Sequence, residues 1–208
     1  RTCLVGSEMC IRDRIISPLH QFSRKISATF TEAQSNTLLA VTELSEAIAG
    51  QAQIAEENAC LTEEIVAKLG DAGIFKMMVP ATYGGDELSP QQVSAVIEEL
   101  AAADAAAGWT AMVAVGFNIL LSRYPRAVLD EIYKNGPDVR MRGAIAPMGK
   151  ATRVEGGYMV SGRWPFGSGP YNPEWMFGGC IVQEDGKPVM TERGPKSFIA
   201  LFLSLIHI

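Results

Sequence analysis

A glycine-rich stretch around residue 168 contains residue types that bind phosphate groups or present a reactive serine. Residues 167–172 read GSGPYN, which begins like the G-x-G-x-x-G motif of dinucleotide-binding loops. Asn172 replaces the third glycine, and Pro170 stands where the following helix should begin, so the stretch does not predict a Rossmann site. Ser168 also lacks the G-x-S-x-G frame of a nucleophile elbow. Its hydroxyl is better suited to donating a hydrogen bond.

Histidines and cysteines are too few and too far apart for a catalytic triad or a metal site. The chain has 2 histidines, His20 and His207, and both lie near its ends. A Ser-His-Asp triad needs a histidine beside its nucleophile, and a zinc site needs clustered cysteines or histidines. Cys60 and Cys180 are far apart in the sequence and have no C-x-x-C neighbour. We therefore predict no hydrolase, no disulfide framework and no metal site.

Three carboxylates in the central part of the chain have the chemistry of a general base. Helical periodicity places Glu98 and Glu99 on the face away from the apolar residues, which favours a solvated position. Asp104 stands where one helix should end and the next begin, which is the position of an N-cap. The sequence therefore assigns no catalytic base.

The overall composition is that of a soluble globular protein. Hydrophobic residues make up 48%, charged residues 20%, and the formal net charge is -5. Nucleic acids and anionic membranes require a basic face, so we expect a small-molecule substrate, no nucleic-acid partner and no membrane partner. The apolar run Ala105–Leu121 is shorter than the roughly 20 residues that a membrane span needs. We predict a buried helix there and a cytoplasmic protein.

Apolar residues recur at helical spacing in the first two thirds of the chain. The clearest helix start is Ser89, with Pro90 at the first helical position and Gln92 completing a capping box. The predicted helices cover residues 38–48, a segment from Thr62 to Gly70, a segment from Ser89 to Asp104, the buried run to about Leu121, and residues 125–134.

After residue 137 the period of the apolar residues changes to that of strands. A turn at Gly156 and Gly157 is predicted to join two strands, and two further apolar runs cover residues 175–182 and 197–202. A helical half followed by an antiparallel β half is an α+β arrangement. We predict helix from Leu38 to Lys134 and strand from Met141 to Phe202.

The two ends of the chain have neither a helical nor a strand period. Residues 1–14 (RTCLVGSEMCIRDR) and 203–208 (LSLIHI) resemble translated read-through of sequencing adaptors, and we expect both to be artefacts. Residues 1–14 should then make few packing contacts. The predicted domains are a helical domain over residues 38–137 and a truncated β domain over residues 138–202. Residues 15–37 precede them as a leader segment that the sequence assigns to neither domain.

Four segments together resemble the acyl-CoA dehydrogenase superfamily in their residues, order and spacing. They are PATYGG at 80–85, IEELAAADAAAGW at 97–109, APMGKATRVEGGYMVSG at 146–162 and GRWPFGSG at 162–169. The resemblance implies an amino-terminal helical domain followed by an incomplete antiparallel β-barrel domain. A second helical bundle follows in that family. We therefore expect a fragment of a longer enzyme, inactive alone, with the catalytic base in the missing half.

The resemblance also implies a flavin cofactor, FAD or FMN, held against the β domain. The family's Thr-Glu-Pro segment falls on residues 145–149, where only a proline and a glycine are kept. This correspondence places Ile145, Ala146 and Gly149 at the flavin.

A second family segment, Gly-x-Lys-x-Trp-Ile-Thr, falls on residues 162–168. Phe166 stands where a tryptophan flanks the flavin ring, and Ser168 stands where a threonine hydroxyl bonds the reactive ring nitrogen. Trp164 and Phe166 are predicted to alternate onto one face of a strand, with the Ser168 hydroxyl projecting from the same side. The resemblance implies that this face meets the flavin, so Trp164 is also a predicted flavin residue.

Two of the segments look more like the two-component flavin-dependent monooxygenases of the superfamily than like ordinary dehydrogenases. Many of these monooxygenases carry a histidine in the helix after a Gly-Trp pair, where this chain has Phe117 and Asn118. The resemblance makes these two the candidate substrate residues. A second histidine, after the Ser-Gly pair, is also lacking in residues 170–174.

Three functions remain open from the sequence. The first is oxidation of the CH–CH bond of an acyl-CoA-like substrate, with an electron-transfer flavoprotein as partner. The alternative is hydroxylation of an aromatic compound with reduced flavin from a partner flavin reductase. The third is a non-catalytic binding protein on the same fold. The resemblance further implies a homo-oligomer, a tetramer at full length.

Overall fold

The computed structural model describes residues 32–203 and confirms the α+β arrangement. Within these residues five α-helices precede seven strands. The expectations for residues 1–14, for residues 15–31 of the leader and for residues 204–208 of the expected artefact 203–208 lie outside the described residues, whereas Leu203 pairs with Trp175 in the sheet. The helices are α1 (Glu32–Asn58), α2 (Glu63–Asp71), α3 (Pro90–Ala103), α4 (Ala105–Leu121) and α5 (Arg126–Ile132), and the strands are β1 (Met141–Val154), β2 (Gly157–Ser161), β3 (Trp175–Glu184), β4 (Lys187–Pro188), β5 (Met190–Thr191), β6 (Gly194–Pro195) and β7 (Ser197–Leu203).

Helix α1 is longer than its predicted span of residues 38–48. Its buried residues Val41, Ile48 and Ala55 follow one another at intervals of seven, close to two helical turns. The next inward residue after Ile48 is therefore a small alanine, which gives little hydrophobic signal. The helix also includes residues 32–37, which the sequence analysis left in the leader.

The predicted helix caps are confirmed. Ser89 Oγ accepts from the backbone N–H of Gln92, and the Gln92 side chain accepts from the backbone N–H of Ser89 at 2.8 Å, which completes the capping box. Asp104 ends α3, and its carboxylate accepts from the backbone N–H of Ala107 at 2.8 Å to begin α4. Asp104 is thus the single non-helical residue between α3 and α4.

Helix α4 is apolar on both faces but buried on only one. Its inner face includes Ala111, Val115 and Phe117, whereas Trp109 and Ile119 are about half exposed on the outer face. The prediction of a buried helix is therefore correct for one face. Within residues 32–203, none of the helices has both the length and the apolar content needed to cross a bilayer.

Three clusters of buried side chains form the core of residues 32–203: one among the helices, one that joins the helices to the sheet, and a small one within the sheet at Ala151, Cys180 and Ala200. Phe117 of α4 stacks on Phe177 of β3 with ring centroids 4.5 Å apart and planes inclined by 6°. Tyr133 and Met141 belong to the same cluster. The helical half and the strands therefore share a core across the seam predicted near residue 137.

The main sheet is mixed, which corrects the expectation of a purely antiparallel one. β1 pairs antiparallel with β2 but parallel with β3, and β3 pairs antiparallel with β7. The reason is the long connection through β2 and residues 162–174, which returns the chain to β3 in the direction of β1. Within the described residues the sheet stays open rather than closing into a barrel.

The turn between β1 and β2 lies one residue earlier than predicted. Val154 pairs with Gly157, so Glu155 and Gly156 form the turn. Gly156 adopts φ of +80°, a left-handed conformation that glycine accommodates without steric cost. Gly157 is free to enter the strand.

Candidate functional site

The predicted flavin residues and the predicted substrate residues occupy different parts of the fold. The structure gathers the flavin residues around β1, β3 and the loop that precedes β3. The substrate residues Phe117 and Asn118 lie on α4.

Strand β1 bulges out over residues 145–148, which is the predicted flavin segment. Its pairing with β3 is regular up to Ala144 opposite Gly178 and resumes at Gly149 opposite Cys180. Residues 145–148 therefore lie opposite Gly179 alone, and all four are exposed. A bulge redirects side chains away from the regular sheet surface. Ile145 and Ala146 are thus presented to solvent instead of the core.

Gly179 is a residue of this site that the sequence analysis missed. A Cβ atom there would overlap the carbonyl oxygens of Ile145 and Ala146, so the bulged backbone passes directly over this position. Only glycine permits such a close backbone approach. The pair Gly178-Gly179 inside an apolar strand was the available signal.

Trp164 attaches the loop between β2 and β3 to Gly179, the residue over which the bulge passes. Its indole N–H donates to the carbonyl oxygen of Gly179 at 2.7 Å. Its ring fills the space beside Gly149 and Gly162, where Cβ atoms would clash with it. Gly149 is buried and Trp164 is half-buried, so these two predicted residues support the exposed ones.

The predicted strand through Trp164 and Phe166 is wrong. β2 ends at Ser161, and Pro165 and Phe166 form a turn. Pro165 lacks the N–H that a strand would need to continue its ladder. The Phe166 side chain is 92% exposed and its φ is +59°. An aromatic residue with a left-handed backbone conformation is strained, and residues with strained backbones concentrate at ligand sites.

Ser168 is held mainly through its backbone. The N–H of Gly143 donates to the carbonyl oxygen of Ser168 at 3.1 Å, which forms an isolated antiparallel bridge. The Ser168 hydroxyl donates only a long hydrogen bond, 3.4 Å, to the carbonyl oxygen of Phe166. Since hydrogen bonds of that length are weak, the hydroxyl is available to a ligand.

We call residues 145–148 together with residues 166–168 the bulge–loop surface. It combines exposed apolar side chains, including Ile145, Met148 and Phe166, with one hydroxyl. Ligand sites for small organic molecules combine apolar walls with a few polar groups that fix orientation. The surface therefore suits a flat, largely apolar ligand that carries hydrogen-bonding atoms.

A cavity of about 310 Å³ lies between the helices. It is lined by Asn118, one of the two predicted substrate residues. Phe117 does not line it, because its ring is stacked on Phe177 in the core. All of the lining residues are uncharged. They are Met78, Pro80, Pro90, Asn118, Ile119, Leu121, Ser122, Leu129 and Tyr133.

Asn118 and Tyr133 form a hydrogen-bonded pair at this cavity. The Tyr133 hydroxyl donates to Oδ1 of Asn118 at 2.5 Å, and Nδ2 of Asn118 donates to the carbonyl oxygen of Val115 at 3.3 Å. Burial, with a further contribution from Tyr83, raises the pKa of the Tyr133 phenol well above its ordinary value of 10.0. Tyr133 therefore stays a hydrogen-bond donor at neutral pH. The sequence analysis missed it because nothing local links it to Asn118.

The prediction that Glu98 and Glu99 lie on a solvated face is wrong. Both are half-buried, because α3 is covered by α1 on one side and α4 on the other. The hydroxyl of Thr42 in α1 donates to Glu99 at 3.4 Å. Oε1 of Glu98 is enclosed without a hydrogen-bond partner among the described residues.

Two comparisons with known proteins identify the family. Residues 31–126 match the family described as acyl-CoA dehydrogenase, N-terminal domain. The crystal structure of the HsaA monooxygenase from Mycobacterium tuberculosis resembles this fold with a TM-score of 0.72 at 30% identity, covering 80% of this chain and 43% of that chain. The helical half of the chain belongs to the acyl-CoA dehydrogenase superfamily.

Two relatives of this chain are oxygenase subunits or components of flavin-dependent enzymes. The chain is 32% identical over 158 residues to the oxygenase subunit HsaA of a flavin-dependent monooxygenase from Mycobacterium tuberculosis, covering 76% of this chain and 40% of that protein. It is 31% identical over 151 residues to the oxygenase component of an FADH2-dependent resorcinol hydroxylase from Rhizobium sp., covering 68% of this chain and 37% of that protein. The chain thus spans about two fifths of the length of these relatives.

Proposed function

We propose that this chain is the amino-terminal part of the oxygenase component of a two-component flavin-dependent monooxygenase. The proposed reaction is hydroxylation of an aromatic compound with reduced flavin from a separate reductase. The relatives support this function, the alternative of the sequence analysis, better than acyl-CoA oxidation. The observation in the fold that carries the proposal is the bulge–loop surface.

The residue types of the bulge–loop surface suit a flavin ring. Ile145 and Phe166 offer exposed apolar contacts, and an aromatic contact is worth about 0.5–1.5 kcal/mol beyond area burial. In this proposal the Ser168 hydroxyl would bond a ring atom, while the Trp164 ring packs against Gly149 next to the surface. When bound, FAD or FMN would supply the electrons for the reaction with oxygen. The contribution of the chain is to bind and orient that ring.

The helical cavity is the proposed place for part of the substrate. No charged side chain lines it, so it favours an uncharged ring over an anionic group. The Asn118 amide and the Tyr133 hydroxyl are hydrogen-bonding groups of its lining and are bonded to each other. They are suited to orienting a hydroxyl or carbonyl substituent on such a ring.

Two expectations about partners follow from the proposal. A flavin reductase would deliver the reduced cofactor, because the oxygenase component of a two-component system does not reduce it. A homo-oligomer at full length remains a prediction that can be measured by light scattering of the purified protein.

The function is tested by supplying the purified full-length protein with NADH, FAD, a flavin reductase and resorcinol. Product analysis should show an added hydroxyl group, with oxygen consumed in proportion. Octanoyl-CoA with an artificial electron acceptor is the comparison. Turnover of octanoyl-CoA alone would replace the proposal with dehydrogenation, and absence of flavin binding would favour the non-catalytic protein.

A further inference from the structure

Arg142 on β1 holds the loop that carries Phe166 and Ser168. Its guanidinium donates two hydrogen bonds to the carbonyl oxygen of Gly167, from Nε at 3.0 Å and from Nη2. Gly167 lies between Phe166 and Ser168, two of the predicted flavin residues of the loop. Neither Arg142 nor Gly167 belongs to the set of flavin residues that the family resemblance implies.

The loop is attached at both ends, and Arg142 acts between the two attachments. Trp164 bonds Gly179 at one end, and Ser168 bridges to Gly143 at the other. Next to that bridge, a Cβ atom on Gly169 would lie 2.6 Å from the Cβ atom of Arg142, so the loop backbone crosses directly over this arginine. The segment between the attachments contains the strained and exposed Phe166.

The charge of Arg142 is directed at this carbonyl and not at an acid. Among residues 32–203, no carboxylate forms an ion pair with Arg142, whereas Arg140 two residues earlier pairs with Glu174 at 2.7 Å. Hydrogen bonds from a charged donor are stronger than neutral ones, and the planar guanidinium fork fixes direction as well as distance. A strained, exposed phenylalanine needs such restraint, because otherwise its backbone relaxes to an ordinary conformation.

We propose that Arg142 is a positioning residue that fixes Phe166 and Ser168 in the geometry that receives the flavin ring. Arg142 acts through the carbonyl of Gly167 and does not itself touch the ring. A loop held in its bound conformation loses less conformational freedom when the ligand binds, so affinity rises without a new contact. The nature of the ligand rests on the proposed function, whereas the restraint of the loop by Arg142 does not.

The test uses the full-length protein with Arg142→Gln, Arg142→Lys and the control Arg140→Gln, which removes a comparable half-buried arginine just before the same strand begins. Hydrogen–deuterium exchange of the amides of residues 166–169, measured without flavin, reports loop order. Fluorescence titration with FAD reports affinity. Arg142→Gln is expected to speed exchange and to weaken FAD binding about tenfold or more, since bonds to charged donors contribute at least about 1.4 kcal/mol.

Arg142→Lys keeps the charge and loses the fork, so it should restore part of the FAD affinity but leave exchange faster than in the wild type. Arg140→Gln should leave both measurements within about twofold. Unchanged exchange in Arg142→Gln overturns the proposal, and so does faster exchange with unchanged FAD affinity, while the proposed function stands in both cases. If Arg142→Gln does not fold, Arg142→Lys decides by the same two measurements. If the wild type binds neither FAD nor FMN, in the oxidised or the reduced form, the proposed function and the flavin role of Arg142 are overturned together.

Discussion

The indole N–H of Trp164 donates to the carbonyl oxygen of Gly179 across 2.7 Å, and this bond joins the loop after β2 to the point where β1 bulges away from β3. The residue over which the bulge passes is therefore also the residue to which the loop is attached. A change at either partner should alter both parts of the bulge–loop surface.

The first prediction removes the donor and keeps a ring. Trp164→Phe leaves the carbonyl of Gly179 without the indole N–H, and the expected loss of stability is about 1 kcal/mol. Urea unfolding measures the difference. Trp109→Phe is the control, because Trp109 is 55% exposed and should change stability by less than about 0.5 kcal/mol. Equal effects of the two substitutions would argue against a structural role for the Trp164–Gly179 bond.

The second prediction concerns the close approach of two backbones at Gly179. In Gly179→Ala the new methyl group would overlap the carbonyls of Ile145 and Ala146, so the bulge must shift. Overpacking of this kind costs about 1–3 kcal/mol. Gly157→Ala is the matched control, because nothing lies within 4 Å of a Cβ atom there. Denaturant midpoints of the two variants should differ, and a neutral Gly179→Ala would contradict the described geometry.

The helical half could be predicted from the sequence because its signals are local. The capping box at Ser89 and the N-cap at Asp104 involve residues three positions apart, and the apolar period identifies the inner faces. The apolar periodicity did not predict the second half of α1, because the buried residue there, Ala55, is small. It also misplaced Glu98 and Glu99, because a second helix covers the face opposite the core.

The site could be predicted only in part, because its geometry depends on residues far apart in sequence. The resemblance selected Ile145 and Ser168, but no local pattern shows the parallel pairing of β1 with β3 or the bulge that this pairing produces. Arg142 bonds a residue 25 positions away, and Tyr133 bonds a residue 15 positions away. Such partners become visible only when the chain has folded.

The third prediction follows from the buried phenol of Tyr133. Its folded-state pKa lies above the unfolded value of 10.0, so as the pH rises past about 10 the unfolded chain releases this proton while the folded chain keeps it. The contribution of the Tyr133 phenol to the free energy of unfolding is therefore fully present below pH 10, and it is lost as the pH rises further. Tyr83 and Tyr124 also have raised pKa values, so the informative quantity is the difference between wild type and Tyr133→Phe. Stability measured between pH 8 and 11 should fall less steeply in the variant above pH 10, and equal slopes would contradict the assignment.

The same variant tests the Asn118–Tyr133 pair at neutral pH. Tyr133→Phe leaves the buried Oδ1 of Asn118 without its donor, which costs about 1–3 kcal/mol. Adding Asn118→Leu removes the unsatisfied amide together with its partner. The double variant should therefore lose less stability than the sum of the single variants, and strict additivity would mean that the pair is not coupled.

The fourth prediction separates a structural from a ligand-binding role for Phe117. Its ring is buried and stacked on Phe177, so Phe117→Ala should destabilise the protein by about 3–5 kcal/mol. Phe117→Leu retains most of the volume and should cost less, with little change in the affinity for an aromatic ligand. A variant of wild-type stability that no longer binds such a ligand would instead place Phe117 at the substrate.

The last prediction concerns Ser168, whose hydroxyl makes only a long bond within the loop. Because the backbone of Ser168 is held independently by Gly143, Ser168→Ala should leave stability within about 0.5 kcal/mol of the wild type. Loss of one hydrogen bond to the flavin ring should weaken FAD binding by about 0.5–1.5 kcal/mol. Ser168→Thr retains a hydroxyl and should keep more of the affinity than alanine does, provided that its extra methyl group is accommodated at this half-buried position. FAD titration of the full-length variants, paired with urea unfolding, measures both quantities. If Ser168→Ala lowers stability but leaves FAD affinity unchanged, the hydroxyl serves the turn and the flavin role carried over from the family fails at this residue.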